Sequence, residues 1–384
     1  MNILMFYPSR VDDLPPTMTA AASLAEAGAT VELIAASSSR AIREYLVGRG
    51  VKVNLSHTGE PEKRRVDRAR YRADAVGRLV KTLWSGGFDC VWYHQSHFHM
   101  WYPYLQFRRE GVVVVVQMHE LENHVMSRWL LQKAVARRAD LVIAPESNRG
   151  WIIKVCSGSK AGFCVIPNRS LNDIGASADE GDRTRELFIK NGGSPECDQF
   201  VIYLGAFMRR RCLRELILAF RMLDNPRLGL ILLGGEPGSA ILEDLRRAAG
   251  EDRRIVIHRR IPPPGHFDVA RGCSAGVILY APLTLNEVYC APNKVYEYAE
   301  MGLGMILPNL PGMVELNRRY GLGSTCDPLD PGSIASAILT TVSRATEESI
   351  VATRRFLADV GKPEDHYRNV LKNLERVAKI IRKN

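Results

Sequence analysis

The sequence predicts an α/β protein made of two doubly wound, Rossmann-like domains in tandem. Three observations predict this. Short apolar runs of strand length alternate with amphipathic segments along the whole chain, the pattern of βα units on a parallel sheet. The 384 residues are enough for two domains. A Gly-, Ser-, Asp- and Asn-rich stretch, 171–198, separates two such series near the middle.

In order, the first series reads strand Ile3–Tyr7, helix Thr17–Ala27 ending at Gly28, strand Val31–Ala36, helix Arg40–Gly48 and strand Val51–Leu55. Helix Ala69–Trp84, strands Cys90–Tyr93 and Val112–Gln117, helix Arg128–Arg138, and strands Leu141–Ala144 and Cys164–Ile166 complete it. The second series reads strand Phe200–Leu204, helix Leu213–Leu223, strand Gly229–Leu233, helix Ala240–Ala249, and strands Ile255–His258 and Gly276–Leu279. Helix Lys294–Glu300 and strand Met305–Leu307 follow. A last helix, Glu364–Lys383, carries Tyr367, Val370, Leu371, Leu374, Val377 and Ile381 on one face and needs a partner surface. The expected organisation is therefore a domain over 1–170, a linker over 171–198, a domain over 199–362, and a helix over 363–384 returning to the first domain.

Composition narrows the function classes. A hydrophobic share of 46% with 24% charged residues describes a globular chain, not a disordered one. No apolar run reaches the length of a membrane span, and the start Met1–Tyr7 has no basic leader region, so a cytoplasmic protein is expected. The eight cysteines form no Cys-x-x-Cys pair, which argues for buried free thiols rather than a zinc ribbon or a disulfide scaffold. The net charge is +10, and residues 1–170 hold 23 Lys and Arg against 15 Asp and Glu, so most of the excess lies in the first half. Lys63–Lys81 is its densest stretch. It reads either as a solvated helix face or as a peripheral contact with an anionic membrane at its inner face. No nucleic-acid-binding motif accompanies the charge, so nucleic acid is not expected as a partner.

Three segments carry chemistry. Tyr203, Leu204 and Gly205 leave a strand, and Arg209, Arg210 and Arg211 precede a helix. Ligands in such sheets sit beyond the carboxyl ends of strands, and a helix start with adjacent arginines suits a diphosphate. Gly234 and Gly235 end the next strand and permit close backbone approach. Pro292 opens a helix in which Lys294, Glu297 and Met301 form one stripe, with Glu297 able to accept ribose hydroxyls.

In this order the segments resemble the donor domain of retaining glycosyltransferases of family 4, which have the GT-B fold: two Rossmann-like domains facing a cleft. The resemblance covers most of 200–340, through Tyr203-x-Gly205, Leu233-Gly234-Gly235, Pro292-Asn293-Lys294-x-x-Glu297-Tyr298 and Asn309–Met313. It implies that Arg211 holds the donor diphosphate, with Arg209, Arg210 and Lys294 beside it. It implies that Glu297 binds the ribose, that Asn293 and Tyr289 lie in the donor site, and that Arg259 and Ile261 frame the base. The first half is similar more weakly, through His94, Gln95 and His97, then His119 and Glu120, then Ile166-Pro167-Asn168. There the resemblance makes His119 a contact for the donor sugar and places His94, His97 and Glu120 on the acceptor side.

The chain departs from the family pattern in four places. The acid eight residues before the ribose Glu is Tyr289, with Glu287 close enough to substitute. The Arg just after the first glycine is Ala206, the glycine loop after the first strand is replaced by Ser9–Pro16, and Gly302–Ile306 replaces Gly-Lys-Pro-Val-Ile. The implied reaction is transfer of a sugar from a nucleotide-sugar, UDP by family frequency, to a hydroxyl acceptor with retention, and with no metal or other cofactor. Arg211, Lys294 and His119 would carry the catalysis. A nucleotide-sugar epimerase of the same fold and a non-catalytic sugar-nucleotide binder are the alternatives.

Overall fold

The computed structural model describes residues 1–58, 65–95, 111–169, 183–261, 265–344 and 346–381. The chain forms two compact units, 1–170 with 361–384, and 171–360. Residues 171–182 of the polar connection lie outside the described residues, whereas 183–190 form a helix.

Unit 1 holds strands β1 (Asn2–Arg10), β2 (Thr30–Ser37), β3 (Lys52–Leu55), β4 (Cys90–His94), β5 (Val113–Gln117), β6 (Leu141–Ala144) and β7 (Gly162–Val165). Its helices are α1 (Pro15–Glu26), α2 (Arg40–Gly48), α3 (Arg65–Ser85), α4 (Met126–Arg138) and α5 (Ser147–Ser157). The strands pair in parallel in the order β3-β2-β1-β4-β5-β6-β7. Both faces of the sheet are covered, so β1 is buried almost throughout rather than alternating. On one face, Leu4, Phe6, Val91, Tyr93, Val114 and Val116 pack with α3, α4 and α5. Side chains alternate along a strand, so Trp92 and Gln117 point to the other face.

Unit 2 holds α6 (Arg183–Lys190), β8 (Gln199–Leu204), α7 (Leu213–Arg221), β9 (Leu228–Gly235), α8 (Ala240–Ala249), β10 (Ile255–Arg259), α9 (Gly265–Ala270) and β11 (Ala275–Val277). It continues with α10 (Leu285–Val288), α11 (Asn293–Glu300), β12 (Gly304–Pro308), α12 (Pro311–Tyr320), β13 (Gly323–Cys326), α13 (Pro331–Val342) and α14 (Thr346–Val360). Its strand order is β10-β9-β8-β11-β12-β13. Two separate apolar cores sandwich this sheet.

The chain then enters α15 (Pro363–Ile381), which packs along α1 and on β5 in unit 1. Tyr367, Val370, Leu371 and Leu374 are its buried face. The Tyr367 ring lies 6.0 Å from that of Trp92, and its hydroxyl accepts from Gln117 Nε2 at 3.1 Å.

In both sheets the strand order reverses beside the first strand, between β1 and β4 and between β8 and β11. Such switch points open a crevice at the carboxyl ends of the strands.

Candidate active site

In unit 2 the switch point is shaped by two glycines. Gly205 follows β8 with φ of 147°, and Gly234 near the end of β9 has φ of 151°, both conformations that favour glycine. A Cβ on Gly234 would lie 1.8 Å from the Gly205 carbonyl oxygen, so the two backbones meet too closely for any side chain. Gly235 is buried, and its carbonyl accepts from the Arg260 N–H at 3.1 Å. The strand ends therefore present bare backbone.

The three arginines after Gly205 form one 3-10 turn but take different positions. Arg211 lies over the Tyr280 ring, 3.8 Å from its centroid, just past the end of β11. It thus bridges the two sides of the switch point. Burial opposes its charge, but the neighbouring Tyr280 and Tyr203 phenols shift its pKa upward, keeping it cationic. Arg210 is exposed and reaches Glu287 Oε1 at 3.3 Å, and its carbonyl accepts from the Ala281 N–H at 2.9 Å. Arg209 is exposed. Next in the chain, Cys212 has φ of 51°, the one non-glycine with positive φ among the described residues. It is buried at the start of α7, and this conformation costs about 1–2 kcal/mol for a residue with a Cβ.

Helix α11 supplies the acid. Glu297 Oε2 takes an ion pair from Lys294 Nζ, one turn earlier, and faces His266 Nε2 of α9 at 3.7 Å. Burial raises the carboxyl pKa, but Lys294 and His266 outweigh it and hold the group down at about 2. Glu297 is therefore ionised in a nearly closed setting. The register of α11 is pinned from below. Tyr298 is fully buried, and its hydroxyl accepts the Leu204 N–H at 3.1 Å under the end of β8. Gly276 makes room for that ring, since a Cβ there would lie 2.5 Å from Tyr298.

The other residues expected in the donor site belong to several elements of unit 2. Asn293 begins α11 and is half-buried. Tyr289 caps α10. Glu287 is buried and takes the Thr284 hydroxyl as well as Arg210. Arg259 ends β10, exposed, and Ile261 packs on the apolar core beside Gly265.

In unit 1, β4 ends at His94 and the chain leaves β5 toward His119. The rings stack nearly parallel with centroids 5.7 Å apart, and His94 Nδ1 lies 3.4 Å from His119 Nε2. Both are buried. Burial drives the His94 pKa well down, helped by His119. Burial takes His119 to about 4; a hydrogen bond donated to Asn168 opposes this and the Arg149 charge reinforces it. Both imidazoles are neutral near pH 7. The His119–Glu120 backbone is clamped: Gln95 Oε1 accepts both N–H groups at 2.6 and 2.9 Å, and Gln95 Nε2 and Gln132 Nε2 donate to the Glu120 carbonyl at 2.8 and 2.7 Å. Arg149 donates to the His119 carbonyl. His97 lies outside the described residues. Among the described residues, no group of three or more His, Cys, Asp or Glu side chains is placed to hold a metal ion.

With this geometry, residues 17–168 match the family model described as Glycosyltransferase Family 4. The whole chain matches solved structures. HepE of Anabaena, in complex with UDP and glucose, aligns over 100% of both chains with 17% identity and a TM-score of 0.67. Sucrose-phosphate synthase from Thermosynechococcus elongatus aligns over 100% of this chain and 98% of its own, with 16% identity and a TM-score of 0.64. A trehalose-6-phosphate enzyme from E. coli bound with UDP-2-fluoro glucose covers 97% of this chain and 99% of its own, with 12% identity and a TM-score of 0.65. The chain has the GT-B glycosyltransferase fold. The resemblance drawn from the motifs is thereby borne out, although the family model matches the half where those motifs are weaker. No curated protein matches the chain in sequence.

Sequence reading missed His266, Tyr280, Gln95 and Arg149 as parts of the site. His266 and Tyr280 belong to no motif, and only packing brings them to Glu297 and Arg211. Arg149 lies on α5, a helix not predicted, whose N-cap Glu146 accepts the N–H groups of Asn148 and Arg149. A Glu cap in place of Ser, Thr, Asp or Asn hid that helix start.

Proposed function

We propose that the chain is a retaining glycosyltransferase that moves a sugar from a nucleotide-sugar, a UDP-sugar in particular, to a hydroxyl acceptor. Glycans, lipid-linked sugars and natural products are acceptors of the right chemistry. The observation that carries the reading is Glu297, an ionised and nearly buried carboxylate held by Lys294 at a switch point already lined by bare backbone and Arg211. Lys294 and His266 both address Oε2, and the reading assigns Oε1 to a ribose hydroxyl. The HepE structures, in complex with UDP and with UDP-glucose, support the choice of nucleotide.

In this reading the diphosphate lies over Gly205 and Gly234, where no side chain intervenes, and Arg211 neutralises it with support from Lys294. Charge accumulates on the diphosphate as the glycosidic bond breaks. Fixed cations in a partly desolvated site then stabilise the transition state without reorganising. Tyr280 restricts Arg211 to one orientation. His119, neutral, offers a hydrogen bond to the donor sugar, and Glu120 and His94 belong to the acceptor side. No side-chain nucleophile is assigned. The leaving diphosphate takes the acceptor proton on the same face, which gives retention, and the assigned charges come from side chains rather than a metal ion.

The test is a thermal-shift panel of UDP, GDP, ADP and dTDP with their sugar conjugates, followed by product analysis. A selective rise with UDP ligands and a product that keeps the anomeric configuration of the donor support the reading. A shift with none of the ligands, or an inverted product, contradicts it.

A further inference from the structure

Helices α3, α4 and α5 share one apolar core on the side that meets the sheet of unit 1. Their outer side carries its own apolar set. Among the described residues of unit 1, six large apolar side chains are exposed, and five of them are on these helices: Trp84 (68%), Met126 (69%), Leu130 (53%), Trp151 (53%) and Val155 (75%). Met126 and Leu130 are one turn apart on α4, and Trp151 and Val155 one turn apart on α5, which packs against α4. The same three helices contain twelve Lys and Arg against two Asp, an excess as large as the net charge of the whole chain. Of the twelve, Arg149 is buried.

We propose that this face of unit 1 lies on an anionic lipid bilayer. Apolar and cationic groups are interleaved here as an interface between hydrocarbon and headgroups requires. Lys133 Nζ lies 5.9 Å from the Trp129 ring centroid, and Lys154 Nζ the same distance from that of Trp151. The exposed Trp151 body can enter the headgroup layer while the Lys154 ammonium stays with lipid phosphates; Trp129 packs inward on the core and leaves Lys133 at its outer edge. A protein partner fits less well, because the buried cores of protein interfaces are depleted in charged residues as a class, and these helices carry an excess of ten positive charges. A nucleic acid duplex offers no apolar layer for Leu130, Trp151 and Val155. No helix among the described residues is long and apolar enough to cross a membrane, and lying on the surface requires none. The proposal is independent of the donor assignment.

The experiment is sedimentation of the full chain with phosphatidylcholine vesicles, with and without phosphatidylglycerol, at low and high salt, alongside tryptophan fluorescence. Binding to the phosphatidylglycerol vesicles alone, lost at high salt and accompanied by a blue shift, is the expected result. The Lys81→Glu/Lys133→Glu and Trp151→Ser/Val155→Ser variants should each bind at least about tenfold more weakly. Unchanged circular dichroism and an unchanged melting temperature would show that both remain folded. Three results overturn the proposal: no binding to anionic vesicles, full binding by the apolar variant, or wild-type dimers that the apolar variant fails to form.

Discussion

The two units repeat one topology and handle charge in opposite ways. At the switch point of unit 2, charge is fixed in place: Lys294 pairs with the ionised Glu297, His266 faces the same carboxylate, and the Arg211 guanidinium is held over Tyr280. At the corresponding strand ends of unit 1, burial keeps His94 and His119 neutral, and the polar work falls to amide hydrogen bonds from Gln95 and Gln132. Under the proposed function, the difference suits one unit to each partner of the transfer. A diphosphate needs fixed positive charge. A neutral hydroxyl needs donors and acceptors without it, because an uncompensated ion in so buried a place would be costly.

The largest effect is expected at the strand ends of unit 2. Gly234→Ala forces a Cβ into the Gly205 carbonyl and should cost roughly 3 kcal/mol or more, seen as a lowered melting temperature. All five tryptophans lie in unit 1, so their emission should be unchanged while the variant is folded. A variant with wild-type melting would remove the close approach from the account.

A comparable effect is expected in unit 1 on acidification. His119 titrates near 4 when folded and near 6.5 when unfolded. Between those values the unfolded chain binds the proton and the folded chain does not, so stability falls as the pH drops. At 1.36 kcal/mol per pKa unit the loss is about 3 kcal/mol. Denaturant unfolding followed by tryptophan emission at pH 7 and pH 4 measures it. His119→Asn should lessen the dependence, His94 keeping its own share, and an unaltered slope would contradict the neutral assignment.

The smallest effect sharpens how unit 2 positions its acid. Tyr298→Phe leaves the Leu204 N–H without its acceptor and should cost about 1–2 kcal/mol. Nucleotide affinity should fall with it if the register of α11 sets the place of Glu297. A stability loss with undiminished affinity would make Tyr298 purely structural.

Much of this was legible in the sequence, for a physical reason. Strands such as Leu228–Gly235 and Val113–Gln117 are covered on both faces, so they read as unbroken apolar runs. The helices Arg40–Gly48 and Ala240–Ala249 were legible to the residue because Ser39 and Ser239 cap them through side-chain hydrogen bonds. Helix α10 was not, being only Leu285–Val288 after Thr284. Glu297 and Lys294 were legible as a pair because three residues make one helical turn. His266 and Tyr280 were not, since no local rule ties α9 to α11 or the end of β11 to Arg211. The different places of Arg209, Arg210 and Arg211 were equally hidden, because three identical neighbours are told apart only by what they pack against. The +10 charge was legible as an excess in the first half, while its coincidence with Trp151 and Val155 on one face needed the fold.

The most direct test of the contrast is titration of UDP, which lacks the sugar, into Glu297→Ala and His119→Ala by calorimetry. The account predicts that Glu297→Ala binds UDP roughly 10- to 100-fold more weakly, the worth of a charged hydrogen bond, while His119→Ala binds it like the wild type. Wild-type affinity in Glu297→Ala, or a matching loss in His119→Ala, would contradict it.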